Sequence, residues 1–200
     1  TRTVSGELAV RIRAQARVLG VSPAAIFHLA WGLVIGQTAG TRDAVFGTVL
    51  FGRLKSGRGA SRAVGMFINT LPFRVSVTTQ TVAAAVRETH EQLAALMAHE
   101  HAPLALAQRC SGVAAPAPLF SSLFNYRYSA DASNAPWPGF EFVHASERTN
   151  YPLSMAVDDV GGAFLMTALG QSPCEPEHVC AYLDEATRLI VDHLEGKTST

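Results

Sequence analysis

Cysteine is scarce in this chain: Cys110, Cys174 and Cys180 are the three in 200 residues, an odd number without metal-ligand spacing. That excludes a disulfide framework and points to free thiols in a reducing compartment, so the cytoplasm is the expected location. An excess of either charge is also missing, because 16 basic and 16 acidic residues cancel. Such a balance leaves no global footprint for nucleic acid, and any charged patch must be local. No apolar run reaches the roughly 20 residues of a membrane span. The longest, residues 24–36, is interrupted by His28. Arg2, Arg11, Arg13 and Arg17 near the start are not followed by an apolar block with a cleavage site, so no secretory signal is read. The sequence starts abruptly, as if cut from something longer.

What is present is apolar. With 48% hydrophobic and 16% charged residues the chain can bury one good-sized core. Leu8, Ile12, Ala16 and Leu19 fall near helical spacing before Gly20, which predicts a surface helix over residues 7–19. Ser22 as N-cap and Pro23 at the first position open a second helix through Ile35, apolar nearly all round and therefore buried, with Gly32 and Gly36 allowing close packing. Residues 44–51 form a continuous apolar run of interior-strand type. The run after Val64 is also strand-like, but Pro72 limits it to an edge or irregular strand. Helices follow over residues 81–98 and 103–109, then strands over 122–128 and 140–144, and a hairpin over 151–169 around Asp158-Asp159-Val160-Gly161-Gly162. Val179, Leu183, Ala186, Ile190 and Leu194 close the chain with an amphipathic helix ended by Gly196. The expected fold class is α/β: a mixed β-sheet with helices packed on it, over residues 1–196, with 197–200 as a tail.

Residue chemistry offers few catalysts. No GxSxG elbow is present, and Gly47-Thr48-Val49-Leu50-Phe51-Gly52-Arg53-Leu54 fails as a phosphate loop because Arg53 and Leu54 replace the required Lys and Ser/Thr. His99-Glu100-His101 is the densest titratable cluster, yet residues two apart on a helix diverge, and a solvated helix end describes it better than a metal site. Arg53, Lys55, Arg58 and Arg62 carry four positive charges without a local acid, suiting either a solvated loop or contact with a phosphate or an acidic partner. Asn69 and Thr70 stand out, because polar side chains in an apolar strand must be hydrogen-bonded or face a cavity. Both readings stay open and are compatible.

Val64-Gly65-Met66-Phe67-Ile68-Asn69-Thr70-Leu71-Pro72-Phe73-Arg74 resembles the VGxFxNTxPxR signature of nonribosomal peptide synthetase condensation domains. Further resemblances follow in the same order. Gly47-Thr48 with Gly52-Arg53 is similar to GTxxSGR, with Phe51 in place of serine. His99-Glu100-His101-Ala102-Pro103-Leu104 is similar to HQDxPFE, Pro118-Leu119-Phe120 to the NPLF stretch, and Thr149-Asn150-Tyr151-Pro152-Leu153 to a later strand entry.

The resemblance implies one chloramphenicol acetyltransferase-like lobe of a two-lobed enzyme that forms amide bonds between carrier-bound thioesters. In that family an HHxxxDG motif on the N-terminal lobe carries the catalytic histidine, and no two histidines are adjacent here. The resemblance therefore implies the C-terminal lobe, with no catalytic residue of its own and inactive alone. Gly65, Phe67, Asn69, Thr70, Arg74 and Phe51 would supply tunnel wall and a floor loop over residues 64–74, and the hairpin a further crossing. Implied partners are the N-terminal lobe, donor and acceptor carrier proteins and neighbouring synthetase domains, without nucleic acid or membrane, and with self-association through an exposed lobe interface. No bound cofactor is implied, and phosphopantetheine arms arrive on the carriers. The alternatives are a carrier-protein-binding module without catalysis and a lobe of an acyltransferase using an alcohol acceptor.

Overall fold

The computed structural model describes residues 1–52, 65–77, 81–114, 116–129, 143 and 148–197. The chain runs β1 (Arg2–Thr3), α1 (Gly6–Leu19), α2 (Pro23–Ala39), β2 (Asp43–Leu50), β3 (Asn69–Ser76), α3 (Val82–Met97) and α4 (Leu104–Cys110). It ends with β4 (Ser122–Tyr128), β5 (Leu153–Asp159), β6 (Phe164–Gly170) and α5 (Pro176–Leu194). The strands form one mixed sheet in the order β1-β6-β5-β4-β2-β3. β4 runs parallel to β2 and β5, and the remaining pairs are antiparallel. No helix among the described residues is alone long and apolar enough to cross a membrane.

Hydrophobicity on all sides of α2 has a direct cause: one side meets the sheet and the others meet helices. Residues from Ala25 to Trp31 are buried without interruption. Phe27 packs edge-on against Phe164 at 4.9 Å, and Trp31 stacks over Phe124 at 6.0 Å. The expected small-residue packing is present. A Cβ on Gly32 would lie 2.4 Å from Val75 Cβ, and one on Gly36 would lie 2.9 Å from the Thr41 carbonyl. α5 covers α2 with Val179, Leu183, Ile190 and Val191, the amphipathic face read from its spacing.

Caps explain where helices stop. Ser5 accepts from the Leu8 N–H at the start of α1, Thr81 accepts from Ala84 N–H at the start of α3, and Gly20 closes α1 in the left-handed region at φ +69°. Ser22 stands at the N-cap position of α2 but makes no side-chain cap bond, so Pro23 alone pre-organises that start. α2 continues four residues past the expected Ile35, to Ala39, because Gly40 rather than Gly36 adopts the left-handed cap.

Pro72 sits in β3, and β3 is an edge strand as its proline requires. The hairpin strands β5 and β6 are both interior to the sheet, so their pairing accounts for them structurally. β1 was not foreseen: two exposed residues become a strand only by pairing with Met166 and Leu165. Of the expected strand at 140–144 only Val143 is described, exposed and outside any strand, and the basic residues Arg53, Lys55, Arg58 and Arg62 lie outside the described residues.

A buried ionic group ties α1 to the hairpin. Arg13 clamps Asp159 with bonds of 2.7 and 3.0 Å, the Tyr126 hydroxyl donates to the same carboxylate at 2.7 Å, and the Gly161 N–H donates at 3.1 Å. Burial raises the Asp159 pKa, but these donors outweigh it and hold the carboxyl below its ordinary value. The Arg13 guanidinium also lies 4.2 Å over the Phe164 ring.

His28 is the polar exception in the α2–sheet interface. Its Nδ1 lies 2.7 Å from the Ala24 carbonyl, which can only accept, so Nδ1 carries the proton and donates. Nε2 therefore accepts from the Thr48 hydroxyl at 2.8 Å. The rings of Phe73 and Phe124 stand edge-on to the imidazole at 5.3 and 4.6 Å. Burial lowers the His28 pKa from 6.5 to about 4, with the Ala24 bond opposing only in part. Between those values the unfolded chain binds the proton and the folded chain does not, so stability is full above pH 6.5 and falls toward pH 4. This histidine is expected to remove roughly 3 kcal/mol over that window. Urea unfolding at pH 7, 5.5 and 4 checks it: His28→Gln should flatten the decline relative to the parent, and an unchanged slope would contradict the assignment.

Candidate functional site

Strand alternation gives the sheet two unlike faces. Ala44, Phe46, Thr48 and Leu50 of β2 and Leu71, Phe73 and Val75 of β3 are buried on the helical side. On the other face, Val49, Leu123, Asn125, Ser154, Ala156 and Thr167 are half-buried and no described helix packs over them. Three of the sequence motifs converge on this open face.

Gly47 and Thr48 serve opposite faces. Thr48 turns to the helical side and holds His28, while Gly47 lies beneath Phe120, where a Cβ would come 2.4 Å from the ring. Phe120 in turn stacks on Tyr151 with centroids 5.6 Å apart and planes 17° apart. The Gly-Thr pair, the Pro-Leu-Phe stretch and the Thr-Asn-Tyr-Pro-Leu stretch thus form one contact.

The Asn69-Thr70 pair also divides between the faces. Asn69 lies on the helical side, where its Nδ2 donates to the carbonyls of Glu100 at 2.9 Å and Ala102 at 2.8 Å. Its Oδ1 accepts from the Thr70 N–H at 2.9 Å. This side chain therefore splices the start of β3 to the turn between α3 and α4, joining the Asn-Thr motif to the His-Glu-His-Ala-Pro motif. Thr70 lies on the open face, opposite Val49. Structural bonding describes Asn69, and exposure to the open face describes Thr70.

Several expectations need correction. Residues 69–74 are strand, not loop, and the irregular part of the signature described here is 65–68. Arg74 shares the open face with Thr70 and Pro72 but is exposed at the edge strand, where it makes a two-pronged pair with Asp43 at 2.9 Å. Glu100, expected on a solvated helix end, is 1% exposed, whereas His101 beside it is largely exposed. The tight turn that presents the Glu100 carbonyl to Asn69 carries the carboxylate inward.

Gly52 explains the end of β2. It adopts φ +66°, and a Cβ there would fall 2.0 Å from the Phe67 carbonyl. Close approach at Gly52 sets Phe67 beside Phe51, and with Gly65, Met66 and Ile68 they border a cavity of about 380 Å³. Met66 is 96% exposed, Ile68 61% and Phe51 46%. Such a local apolar cluster at one sheet end suits contact with another surface.

A second, narrower cavity of about 200 Å³ lies on the open face, lined by Val49, Leu123, Asn125, Ser154, Arg148 and Thr167 among others. Sequence reading passed over Asn125. Its one available signal was a polar residue between Phe124 and Tyr126, which an exposed strand face explains equally well. A further cavity, about 810 Å³, lies on the helical side against Leu33, Val82 and Leu189, and no motif residue lines it. Among the described residues no group of three His, Cys, Asp or Glu could hold a metal.

Fold and site together define an α/β lobe with a one-sided helical cover, an open sheet face carrying the motif contacts, and no clustered catalytic groups among the described residues. Residues 1–171 match the condensation domain family, and the chain belongs to that family. It is 48% identical over 198 residues to malpinin synthetase of Mortierella alpina, covering 97% of this chain and 2% of that protein. It is 31% identical over 150 residues to nonribosomal peptide synthetase 5 of Aspergillus fumigatus, covering 72% and 7%. Among solved structures, the condensation domain of the monacolin K polyketide synthase superposes with a TM-score of 0.75 at 20% identity, over 98% of this chain and 46% of that one. The chain thus spans a small part of its curated relatives and under half of that solved domain.

The Asn69 splice makes a direct prediction. Asn69→Ala leaves two carbonyls without their donor and should cost about 1–3 kcal/mol in urea unfolding. Asn69→Asp should cost at least as much at pH 7, because a carboxylate then faces two carbonyl oxygens. Parent-like stability of both variants would show that the splice is not needed.

Proposed function

We propose that this chain is the C-terminal lobe of a condensation domain that forms amide bonds between carrier-bound aminoacyl or peptidyl thioesters. One observation carries the reading: an ordered set of condensation motifs meets on one open sheet face and its edge, in a sequence without two adjacent histidines. The open face supplies tunnel wall, with Thr70 on it. Gly65, Phe67 and Phe51 shape the floor at the sheet end, and Asn69 holds that floor in register. The HHxxxDG histidine then belongs to an N-terminal lobe, which would bring the general base or positioning group that the described residues do not cluster.

Within this reading the chain works as an acyltransferase lobe in a larger cytoplasmic synthetase, beside neighbouring domains and the donor and acceptor carriers. Phosphopantetheine arms on those carriers bring the thioesters. The four basic residues Arg53, Lys55, Arg58 and Arg62 are the candidate carrier contact, and coverage of 46% of a solved condensation domain supports a single lobe.

Reconstitution tests the proposal. With aminoacyl carrier proteins, the isolated lobe should give no dipeptidyl product, and a polypeptide joining it to its N-terminal lobe should give condensation. Full turnover by the isolated lobe would overturn the division of roles. The lobe alone should also self-associate in sedimentation at rising concentration, and Met66→Glu with Ile68→Glu should shift it toward monomer.

A further inference from the structure

Asn125 is the side chain on the open face whose chemistry nothing in the fold uses. Its Oδ1 is buried and has no hydrogen-bond partner among the described residues, and the carboxamide borders the cavity of about 200 Å³. A buried carbonyl oxygen left unpaired costs about 1–3 kcal/mol, so its retention in a packed sheet calls for a ligand that completes it.

Its surroundings indicate which ligand. Strand register places Thr70 opposite Val49, Asn125 opposite Ala156, and Ala156 opposite Thr167. Val49 and Asn125 border the same cavity, so these residues make one row across the sheet. The Thr1 hydroxyl lies 3.4 Å from that of Thr167 and extends the row. Every member is short, while the flanking row contains Pro72, Leu123 and Leu169, opposite Gly47, Gly47 and Ser154 in turn. The result is a shallow trough running perpendicular to the strands, with one carboxamide in its floor and Arg148 at the border of the same cavity. The unmet atom is a neutral acceptor, which the N–H of a secondary amide completes without burying a charge.

We infer that Asn125 is a substrate-positioning residue that pairs with a secondary amide of an acyl chain laid along the row from Thr70 to Thr167. This rests on the condensation reading, because the amide belongs either to a pantetheine arm or to a peptide bond already in the acyl group. In both cases Oδ1 accepts the amide N–H, and the C=O of that trans amide points the opposite way, away from the same carboxamide. The interaction fixes position and transfers no proton, so its loss is expected in KM more than in kcat.

The experiment uses the two-lobed domain with Asn125→Leu, which keeps the shape and removes both hydrogen-bonding ends. Leucine satisfies the buried position, so the variant should melt at or above the parent temperature, whereas a purely structural Asn125 would make it melt lower. Substrates are aminoacyl and dipeptidyl thioesters of N-acetylcysteamine, which has one arm amide, and of a simple alkyl thiol, which has none. Where the arm supplies the amide, the variant raises KM about tenfold for the N-acetylcysteamine thioesters and leaves the alkyl thioesters unchanged. Where the acyl group supplies it, the rise appears for dipeptidyl and not aminoacyl substrates, whatever the thiol. Equal KM for parent and variant across all four overturns the inference, as does a lower melting temperature with KM unchanged. Calorimetric binding of unreactive amide analogues of the same four repeats the contrast without turnover. A parent that binds them with this contrast and does not condense thioesters overturns the condensation reading and leaves the role of Asn125 standing.

Discussion

The contact of α2 with the sheet governs this fold, and its single polar bond among the described residues, from the Thr48 hydroxyl to His28, is the constraint from which the rest follows. An imidazole among Phe46, Phe73 and Phe124 is tolerable only when neutral and bonded at both nitrogens. That requirement fixes the rotation of α2 through Ala24 and the face of β2 through Thr48. Once Thr48 points to the helices, alternation places Gly47 and Val49 on the other face. Gly47 can then receive Phe120, and Val49 takes its place between Thr70 and Asn125. An interaction inside the core thus decides what the open face presents.

Glycine determines how near the layers come. At Gly32 the sheet approaches α2 so closely that Val75 occupies the space of a side chain. At Gly47 an aromatic ring does the same from the opposite direction. β2 is therefore pressed between His28 on one side and Phe120 on the other, which leaves its end at Gly52 little latitude. The positive φ of Gly52 and the Phe67 carbonyl against it extend this rigid stack into the segment carrying Met66 and Ile68. A segment held this way would have little ordering entropy left to lose on meeting another surface.

Much of the fold was legible because its signals are local. The spacing of Leu8, Ile12 and Ala16, the continuous apolar run of residues 44–51, and the strand pattern of residues 122–128 each belong to one element and gave its type and nearly its bounds. β1 was not legible, since two exposed residues carry no pattern and become strand only through β6. The depth of Glu100 was hidden for the same reason: a turn of three residues decides whether it faces water, and that turn is held by Asn69 from 31 residues away. In the site, the resemblance singled out segments that the structure brings into contact but could not assign faces. Asn69 and Thr70 are adjacent, and only the register with Leu50 and Val49 shows that one serves the helices and the other the open face.

The contrast between the two asparagines carries the last step. Asn69 lies on the helical side with its carboxamide fully used, its nitrogen donating to two carbonyls and its oxygen accepting one N–H, so it has nothing to offer a ligand. Asn125, on the open face, has a buried oxygen with no partner among the described residues. One carboxamide is thus satisfied within the chain and the other is not, and the difference follows the two faces of the sheet. The helical side has such an atom too, the buried Trp31 indole N–H, but that ring is enclosed against Phe124. On the open side the unmet oxygen borders a cavity, beside small side chains and a ring stacked over a glycine, and this access is what makes Asn125 rather than Trp31 the candidate for a ligand.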